Sequence, residues 1–115
     1  MNVWYRVSDL DQACDFYVGT LGFREVYRHD RDGWIRLARD GAEFSIAEGR
    51  ATEEEAEEGQ EEAVVTFDVA DVRAEADRLR AAGVPVGVVV EIPGTIRLLD
   101  VFDPDGNRVQ LSQDL

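Results

Sequence analysis

Few side chains in this sequence could act as nucleophiles or as their activating bases. A thiol-based reaction would need the single cysteine, Cys14, and the single histidine, His29. A catalytic thiol requires a base within hydrogen-bonding reach, whereas Cys14 shares an apolar helical spacing with Leu10 and Tyr17. The pattern therefore predicts that Cys14 is a buried structural thiol, and that His29, in a predicted hairpin turn, is a surface histidine.

Three acids on predicted strands, Glu43, Asp68 and Asp100, are the candidates for a general base. Burial can raise the pKa of a carboxyl group toward neutrality, which suits proton abstraction. Single acids on strands are more often satisfied by nearby arginines, and the sequence contains no evident pair of nucleophile and base. Catalysis by one of these acids is therefore an alternative to ligand binding.

The last predicted strand presents polar side chains on one face. Arg108, Gln110 and Ser112 alternate with Val109 and Leu111, which is the period of a half-buried strand. Gln110 could hydrogen-bond a ligand from this face or satisfy a neighbour across the sheet. The sequence leaves both interpretations open.

Length and charge favour one domain and argue against nucleic acid as a partner. The chain has 115 residues, 44% of them hydrophobic, and a formal net charge of −13 at pH 7. A chain of this size buries roughly two thirds of its unfolded surface, and its negative charge would repel phosphates. The acidic run over residues 53–62 contains 7 glutamates. It predicts either a solvated linker or an electrostatic funnel for a cationic ligand.

The sequence gives no indication of a membrane anchor or of export. No apolar run approaches the length of about 20 residues that spans a bilayer. Residues 1–12 lack the basic and apolar regions of a secretory signal. We therefore expect a cytoplasmic protein with no membrane partner.

The two halves of the chain follow one plan. Val7-Ser8-Asp9-Leu10 matches Val69-Ala70-Asp71-Val72 at an offset of 62 residues, and Gly22 matches Gly83 at an offset of 61. In each half an alternating strand leads to an aspartate that can cap a helix, then to an apolar helical stripe. Each stripe ends near a glycine suited to positive φ. This repetition predicts a duplicated unit that begins β-α.

The rest of each half predicts three further strands, separated by turn residues. Their bounds are 23–27, 34–38, 43–47, 85–90, 96–102 and 108–112. The predicted fold class is α+β, with two tandem β-α-β-β-β modules in one domain over residues 1–115. Module 1 covers about residues 1–50, the acidic linker about 51–62 and module 2 about 63–115.

The order of these elements resembles the vicinal oxygen chelate superfamily, which includes glyoxalase I, extradiol dioxygenases, and fosfomycin and bleomycin resistance proteins. The motifs that carry the resemblance are Val7-Ser8-Asp9-Leu10, Phe16-Tyr17, Leu21-Gly22-Phe23 and Asp103-Pro104-Asp105-Gly106-Asn107. The resemblance implies a curved, open eight-stranded barrel surface with helices outside and the ligand on the concave side. It also implies a homodimer with sites at or near the subunit contact.

Metal-dependent relatives place one ligand on the first strand and one on the fourth strand of each module. By motif position, the resemblance assigns these places to Asn2, Ser45, Val64 and Gln110. Divalent cations want histidine nitrogens or carboxylate oxygens, whereas this set offers two amides, a hydroxyl and an aliphatic side chain. We therefore expect neither a metal nor another cofactor at this site.

Strand alternation predicts which other side chains share the concave face. Two tryptophans and a phenylalanine suit stacking on a planar or apolar ligand; alternatively, Trp4 and Trp34 fill the pocket or pack a dimer contact. The predicted ligand-pocket residues are Asn2, Trp4, Arg6, Trp34, Arg36, Ser45, Val64, Thr66, Asp68, Asp100, Phe102 and Gln110. Further residues expected on this face are Glu43, Leu98, Arg108 and Ser112.

Together these features predict a metal-independent small-molecule binding protein, most like the metal-free bleomycin resistance proteins. It would be a homodimer that sequesters an aromatic or cationic antibiotic-like compound. One alternative is a glyoxalase- or dioxygenase-like enzyme, with lyase, isomerase or oxygenase chemistry in the same concave pocket. Another is a structural or partner-binding role, in which the protein acts through the surface of its dimer.

Overall fold

The structure is a computed structural model in which residues 3–49 and 64–115 are described. Their strands and helices follow a β-α-β-β-β order twice. The strands of module 1 are β1 Trp4–Val7, β2 Arg24–His29, β3 Trp34–Arg39 and β4 Ala42–Glu48. The strands of module 2 are β5 Val65–Asp68, β6 Val90–Ile92, β7 Ile96–Phe102 and β8 Arg108–Asp114. The acidic run over residues 53–62 and Asn2 lie outside the described residues.

The strands form two mixed four-stranded sheets. Sheet 1 has the order β1-β4-β3-β2, and sheet 2 has the order β5-β8-β7-β6. The outer strands β1 and β5 run parallel to β4 and β8, and the other neighbouring pairs are antiparallel. In the described part of the chain these sheets do not close into a barrel. The predicted α+β class with two β-α-β-β-β modules is confirmed.

The first helical segment begins at the predicted capping aspartate and ends before the predicted glycine, but only its first part, α1, is an α-helix. Asp9 Oδ1 accepts a hydrogen bond from the backbone N–H of Gln12 at 3.1 Å and so caps the first turn. The helix spans Leu10–Cys14 and continues as a π-helical segment over Asp15–Thr20. Gly22 follows with a φ of +78°, a conformation that favours glycine. The buried residues on its predicted stripe are Leu10, Ala13, Cys14 and Tyr17.

Helix α2, Val72–Ala81, repeats these features in module 2. Asp71 caps its first turn through a side-chain oxygen, and Gly83 follows it with a φ of +78°. The predicted stripe of Val72, Ala76 and Leu79 is buried. No helix over residues 3–49 and 64–115 is long and apolar enough to cross a membrane.

A hydrophobic core between the helices and the sheets joins the two modules. The rings of Phe23 in module 1 and Phe67 in module 2 have centroids 4.9 Å apart and meet edge to face. The hydroxyl of Tyr17, from the π-helical segment, donates a 2.8 Å hydrogen bond to Oδ2 of the buried Asp103. The turn before β8 is therefore hydrogen-bonded to the π-helical segment of module 1.

The third element of module 2 differs from the prediction. The sequence predicts a strand over residues 85–90, whereas β6 covers Val90–Ile92 and the preceding segment meets β7 at an isolated bridge. Pro85 has no N–H to donate to a ladder, and Gly87 has no side chain to pack. The predicted bounds of this strand were wrong because these two residues weaken regular pairing before Val90.

Candidate functional site

Each sheet packs one face against the core and turns the other away from it; we call the second its open face. In β1, Tyr5 and Val7 are buried in the core, and Trp4 and Arg6 alternate with them. Strand β5 repeats this pattern, as expected from the two-residue period of a strand. The open faces therefore carry the side chains that a ligand can reach.

The register of sheet 1 sets two rows of side chains across its open face. From β1 to β2, the first row is Trp4, Ser45, Arg36 and Tyr27, and the second is Arg6, Ala47, Trp34 and His29. The sequence-predicted pocket residues in these rows are Trp4, Arg6, Trp34, Arg36 and Ser45. Asn2, the remaining prediction for this sheet, lies outside the described residues.

Trp34 is the centre of an aromatic cluster on the open face of sheet 1. Its ring centroid lies 5.8 Å from that of Trp4, 5.3 Å from that of Tyr27 and 5.6 Å from that of His29. The Trp4 and Trp34 rings meet edge to face, whereas the His29 and Trp34 rings are parallel to within 1°. Because Trp4 is 37% exposed and Tyr27 is 52% exposed, a planar ligand can reach this cluster.

Two members of the aromatic cluster, Tyr27 and His29, are absent from the pocket predicted from the sequence. The expectation that His29 lies in the hairpin turn was wrong, because it is the last residue of β2 and pairs with Trp34. A bulge between Glu25 and Tyr27 shifts the register, so alternation counted from the start of the strand puts Tyr27 on the wrong face. Alternation counted backward from His29 across Arg28 would have located both.

Ser45 lies in the middle of sheet 1 with its hydroxyl unpaired. Strand β4 runs between β1 and β3, so the contact between Trp4 and Trp34 crosses over it. Ser45 is 1% exposed, and its Oγ has no hydrogen-bond partner among residues 3–49 and 64–115. A buried hydroxyl in this state costs about 1–3 kcal/mol.

An ion pair borders Ser45 on the same face. Nε of Arg36, the cross-strand neighbour of Ser45, lies 2.6 Å from Oε1 of Glu43. Both side chains are partly exposed, so the pair contributes little to stability. It does fix the position of the guanidinium group, and it occupies Glu43, one of the acids considered as a general base.

The open face of sheet 2 holds the remaining sequence-predicted pocket residues. One row across it is Thr66, Gln110 and Asp100; the next is Asp68, Ser112 and Leu98. Phe102 pairs with Arg108 in a third row, and Val64 precedes β5. The structure thus divides the predicted pocket residues between the open faces of two sheets.

Polar groups on the open face of sheet 2 are hydrogen-bonded to one another. Gln110 Nε2 donates to Asp100 Oδ1 at 3.3 Å, so Gln110 satisfies a neighbour across the sheet. Arg108 Nη1 lies 3.6 Å from Asp100 Oδ2, and the hydroxyl of Ser112 donates to Asp68 Oδ1 at 3.0 Å. Both acids considered as general bases on this face therefore already have partners.

The described positions carried over from metal-dependent relatives do not fit a divalent cation. Val64 has no donor atom, Ser45 offers a neutral hydroxyl, and the amide of Gln110 is bonded to Asp100. Over residues 3–49 and 64–115, no three histidine, cysteine or acidic side chains group so as to hold a metal. Such cations need imidazole, thiolate or carboxylate ligands, so we assign no chemical step to a metal.

Cys14 lies in the core, away from the open faces. Burial, followed by the negative charge of Glu25, raises the pKa of its thiol. Nη2 of Arg28 donates a hydrogen bond to Sγ at 3.6 Å. A protonated buried thiol is a poor nucleophile, which agrees with a structural role.

A shallow cavity of about 720 Å³ adjoins one end of sheet 1. Its lining includes Arg24, Ala38 and Glu43, which form the open-face row next to Ser45. Gly22, the two residues that connect β3 to β4, and the strand residues Arg39 and Ala42 on either side of that connection complete the lining. The cavity therefore borders the aromatic cluster from the side, and the sequence-predicted pocket residues lie outside its lining.

Comparison with known proteins assigns a family to nearly the whole chain. The model of the Glyoxalase/Bleomycin resistance protein/Dioxygenase superfamily matches residues 2–111. No curated protein is significantly similar to the chain in sequence.

Several solved structures share the fold over almost their full length. TnmS3, an antibiotic binding protein from Streptomyces sp. CB03234, is 28% identical with a TM-score of 0.71, covering 100% of this chain and 96% of that chain. The integron cassette protein HFX_CASS4, from the mobile metagenome of Halifax Harbour sewage outfall, is 19% identical with a TM-score of 0.77, covering 98% and 96%. Lactoylglutathione lyase from Agrobacterium tumefaciens is 17% identical with a TM-score of 0.72, covering 98% and 91%. The last two resemble this chain in fold alone.

Proposed function

The chain belongs to the Glyoxalase/Bleomycin resistance protein/Dioxygenase superfamily, and from that premise we propose that it is a metal-independent binding protein for a planar aromatic compound. The ligand lies on the open face of sheet 1 and is released chemically unchanged. Sequestration of an antibiotic-like compound is the biological role that this activity serves. The cytoplasmic location expected from the sequence remains a prediction.

The aromatic cluster around Trp34 is the observation that carries this proposal. Four rings lie within 6.2 Å of a neighbouring ring, and two of them, Trp4 and Tyr27, are more than a third exposed. Exposed aromatic side chains gathered on one sheet face favour a binding surface over a simple solvated one. A planar ligand gains both apolar burial and ring stacking there.

The residues at the positions where metal-dependent relatives have their ligands support metal independence. The hydroxyl of Ser45 and the amide of Gln110 are neutral, and Val64 cannot coordinate. A metal-dependent reaction would need anionic or imidazole ligands to hold the cation that polarises the substrate. Neutral hydrogen-bonding groups instead suit recognition of an uncharged polar atom on a ligand.

The similarity to TnmS3 gives further support for binding of an antibiotic-like compound. That protein is an antibiotic binding protein and shares 28% of its sequence with this chain over almost the full length of both. In that protein, therefore, the same fold binds a small molecule. The aromatic cluster of this chain favours a planar aromatic ligand.

Catalysis in the same pocket, the alternative function, has less support. A general base must be free to take a proton from a bound substrate. Glu43, Asp68 and Asp100 each lie within hydrogen-bonding or ion-pairing distance of a donor side chain. Binding without turnover is therefore the better account of these acids.

A homodimer is part of the proposal, with the open face of sheet 1 against the open face of sheet 2 of its partner. Among the described residues, arginines outnumber acids on the first face, and acids outnumber arginines on the second. The residues concerned are Arg6, Arg24, Arg36 and Glu43 on sheet 1, and Asp68, Asp100, Asp114 and Arg108 on sheet 2. Complementary charge of this kind steers association and fixes orientation.

Titration calorimetry with planar cationic aromatic compounds, in a buffer containing a metal chelator, tests the proposed function. We expect saturable binding by the wild type, with the compound recovered intact by mass spectrometry. Trp34→Ala removes the ring at the centre of the cluster and should weaken binding at least tenfold, since base–aromatic and ring–ring stacking is worth roughly 1–3 kcal/mol per ring.

Phe16→Leu is the matched control, because Phe16 is a buried ring of the core and lies outside the aromatic cluster. It should lower stability and leave affinity unchanged. Chemical conversion of the compound, or equal affinity of the wild type and Trp34→Ala, would contradict the proposal.

A further inference from the structure

We propose that the buried hydroxyl of Ser45 is the specificity-determining group of the site, and that it selects planar aromatic compounds bearing a carbonyl oxygen on the ring system. This inference rests on the proposed function, since it names the chemical class of the ligand. It goes beyond that function by assigning a hydrogen-bonding role to one residue.

In the free protein the Ser45 hydroxyl is buried and unpaired. Its side chain is 1% exposed, and its Oγ has no partner among the described residues. Nearly all buried polar groups in folded proteins are hydrogen-bonded, so an unpaired one calls for a specific explanation. Ser112, the other buried serine on an open face, bonds to Asp68. A group that completes its bonding only when ligand is present explains the difference.

Trp4 and Trp34 lie over Ser45 and separate it from solvent. The edge-to-face contact of Trp4 and Trp34 crosses β4, where Ser45 and Ala47, the next open-face residue along the strand, are both buried. Rotation of Trp4, which is 37% exposed, away from Trp34 uncovers Ser45. A planar ring that enters there stacks on Trp34 and brings its edge to the hydroxyl.

The polar groups around Ser45 favour a ligand atom that accepts hydrogen bonds. The guanidinium of Arg36, its cross-strand neighbour, only donates hydrogen bonds, and the carboxylate of Glu43 on the same face is already paired with that guanidinium. The hydroxyl of Ser45 is free to donate as well. A ligand oxygen that accepts is therefore complementary, whereas a ligand N–H would face further donors.

The charge of the ligand oxygen follows from burial and from the pairing of Arg36. A carboxylate buried beneath the tryptophans would lose its hydration, which is costly unless it is fully paired, and the guanidinium of Arg36 beside Ser45 is already paired with Glu43. A neutral carbonyl oxygen accepts the same hydrogen bond without that penalty. An aromatic ketone is thus the ligand class.

Calorimetric titration with two matched probes tests the inference. The probes are fluorenone and fluorene, each carrying the same trimethylammoniomethyl group, so that they differ at the carbonyl. The wild type should bind the fluorenone probe more tightly. Ser45→Ala should weaken the fluorenone probe about two- to tenfold, the range of one neutral hydrogen bond, and leave the fluorene probe unchanged.

Thermal unfolding without ligand provides a second readout that does not depend on binding. Ser45→Ala removes an unpaired buried hydroxyl and should leave the Tm unchanged or raise it. Ser112→Ala removes a hydroxyl bonded to Asp68 and should lower the Tm. A Tm loss in Ser45→Ala equal to that in Ser112→Ala would overturn the inference, because it would mean that the Ser45 hydroxyl is already satisfied.

The binding outcomes separate this inference from the proposed function. If Ser45→Ala binds each probe as tightly as the wild type does, and Trp34→Ala weakens the binding of both probes, the proposed function stands and the role of Ser45 is wrong. If neither probe binds the wild type, both proposals are wrong for planar aromatic compounds. Selective loss of the fluorenone probe in Ser45→Ala supports both.

Discussion

At the scale of single residues, the hydroxyl of Tyr5 connects the two modules. It accepts a hydrogen bond from the backbone N–H of Val65 at 2.9 Å and donates one to the backbone carbonyl of Arg108. Tyr5 lies on β1, whereas its partners begin β5 and β8. One side chain of module 1 therefore holds two strand ends of module 2.

Tyr5→Phe should lower the free energy of unfolding by about 1–3 kcal/mol, because it leaves a buried backbone N–H without its partner. Denaturant unfolding measures this loss. Tyr27→Phe is the matched control: Tyr27 is 52% exposed, and its change should stay within about 0.5 kcal/mol. Equal stabilities of the two variants would show that the Tyr5 hydroxyl does not join the modules.

The burial of the Tyr17 hydroxyl beside Asp103 makes stability depend on alkaline pH. Burial, followed by the negative charge of Asp103, raises the pKa of Tyr17 above its ordinary value of 10.0. The folded state therefore holds this proton more tightly than the unfolded state does. The resulting stability is complete below pH 10.0 and is lost as the pH rises from there toward the raised folded-state pKa.

We expect the free energy of unfolding of the wild type to fall as the pH rises above 10.0, and to fall less steeply in Tyr17→Phe. Urea unfolding at a series of pH values measures both slopes. Tyr5 and Cys14, whose pKa values are also raised by burial, account for the slope that remains in the variant. Parallel slopes for the two proteins would contradict this role of Tyr17.

Residue alternation alone could predict part of the candidate site. Trp4 and Trp34 lie on strands whose alternation is unbroken, so the sequence indicates their common face. Tyr27 follows a bulge that shifts the parity of β2, and a bulge leaves no mark in the alternation of a single sequence. The unpaired state of Ser45 depends on neighbours from two other strands, which the sequence does not bring together.

At the scale of elements, the connection after the first helical segment depends on one glycine. Gly22 has a φ of +78°, and a Cβ placed on it would lie 3.2 Å from Nη1 of Arg39. Arg39 itself donates to the backbone carbonyl of Leu21 and stacks over the ring of Phe67, 4.8 Å from its centroid. The turn, the arginine and the core of module 2 are therefore linked.

Gly22→Ala should lower the free energy of unfolding by about 1–2 kcal/mol, the cost of a left-handed conformation for a residue with a Cβ. Gly19→Ala is the matched control, because a Cβ on Gly19 meets nothing within 4 Å and its φ is not left-handed. That change should be neutral or stabilise by up to about 1 kcal/mol. Thermal unfolding of both variants checks the prediction, and an equal loss in both would contradict it.

The elements themselves were largely predictable because their signals are local. The capping aspartates, Asp9 and Asp71, and the glycines after each helical segment act within a few residues of the chain. The bounds of β6 were not predictable in this way, since its ladder with β7 begins only at Val90, although an isolated bridge joins Val86 to β7 earlier in the chain. The residue at which β6 begins depends on whether the segment before it forms local turns or pairs with β7.

At the scale of the whole molecule, charge distinguishes the open face of sheet 1 from the chain as a whole. The chain has a net charge of −13, of which 7 glutamates lie in residues 53–62 outside the described residues. The open face of sheet 1 carries more arginines than acids among the described residues. An acidic molecule with one such face favours contact with the acidic face of a second copy.

Thermal unfolding with the cationic fluorenone probe tests metal-independent binding most directly. A ligand that binds only the folded state, at about a hundred times its Kd, adds about 2.7 kcal/mol to stability. We predict the same rise in Tm in the presence of a chelator and in the presence of zinc, and a smaller rise for Trp34→Ala at the same probe concentration. A rise that requires zinc, or an equal rise in Trp34→Ala, would contradict the account.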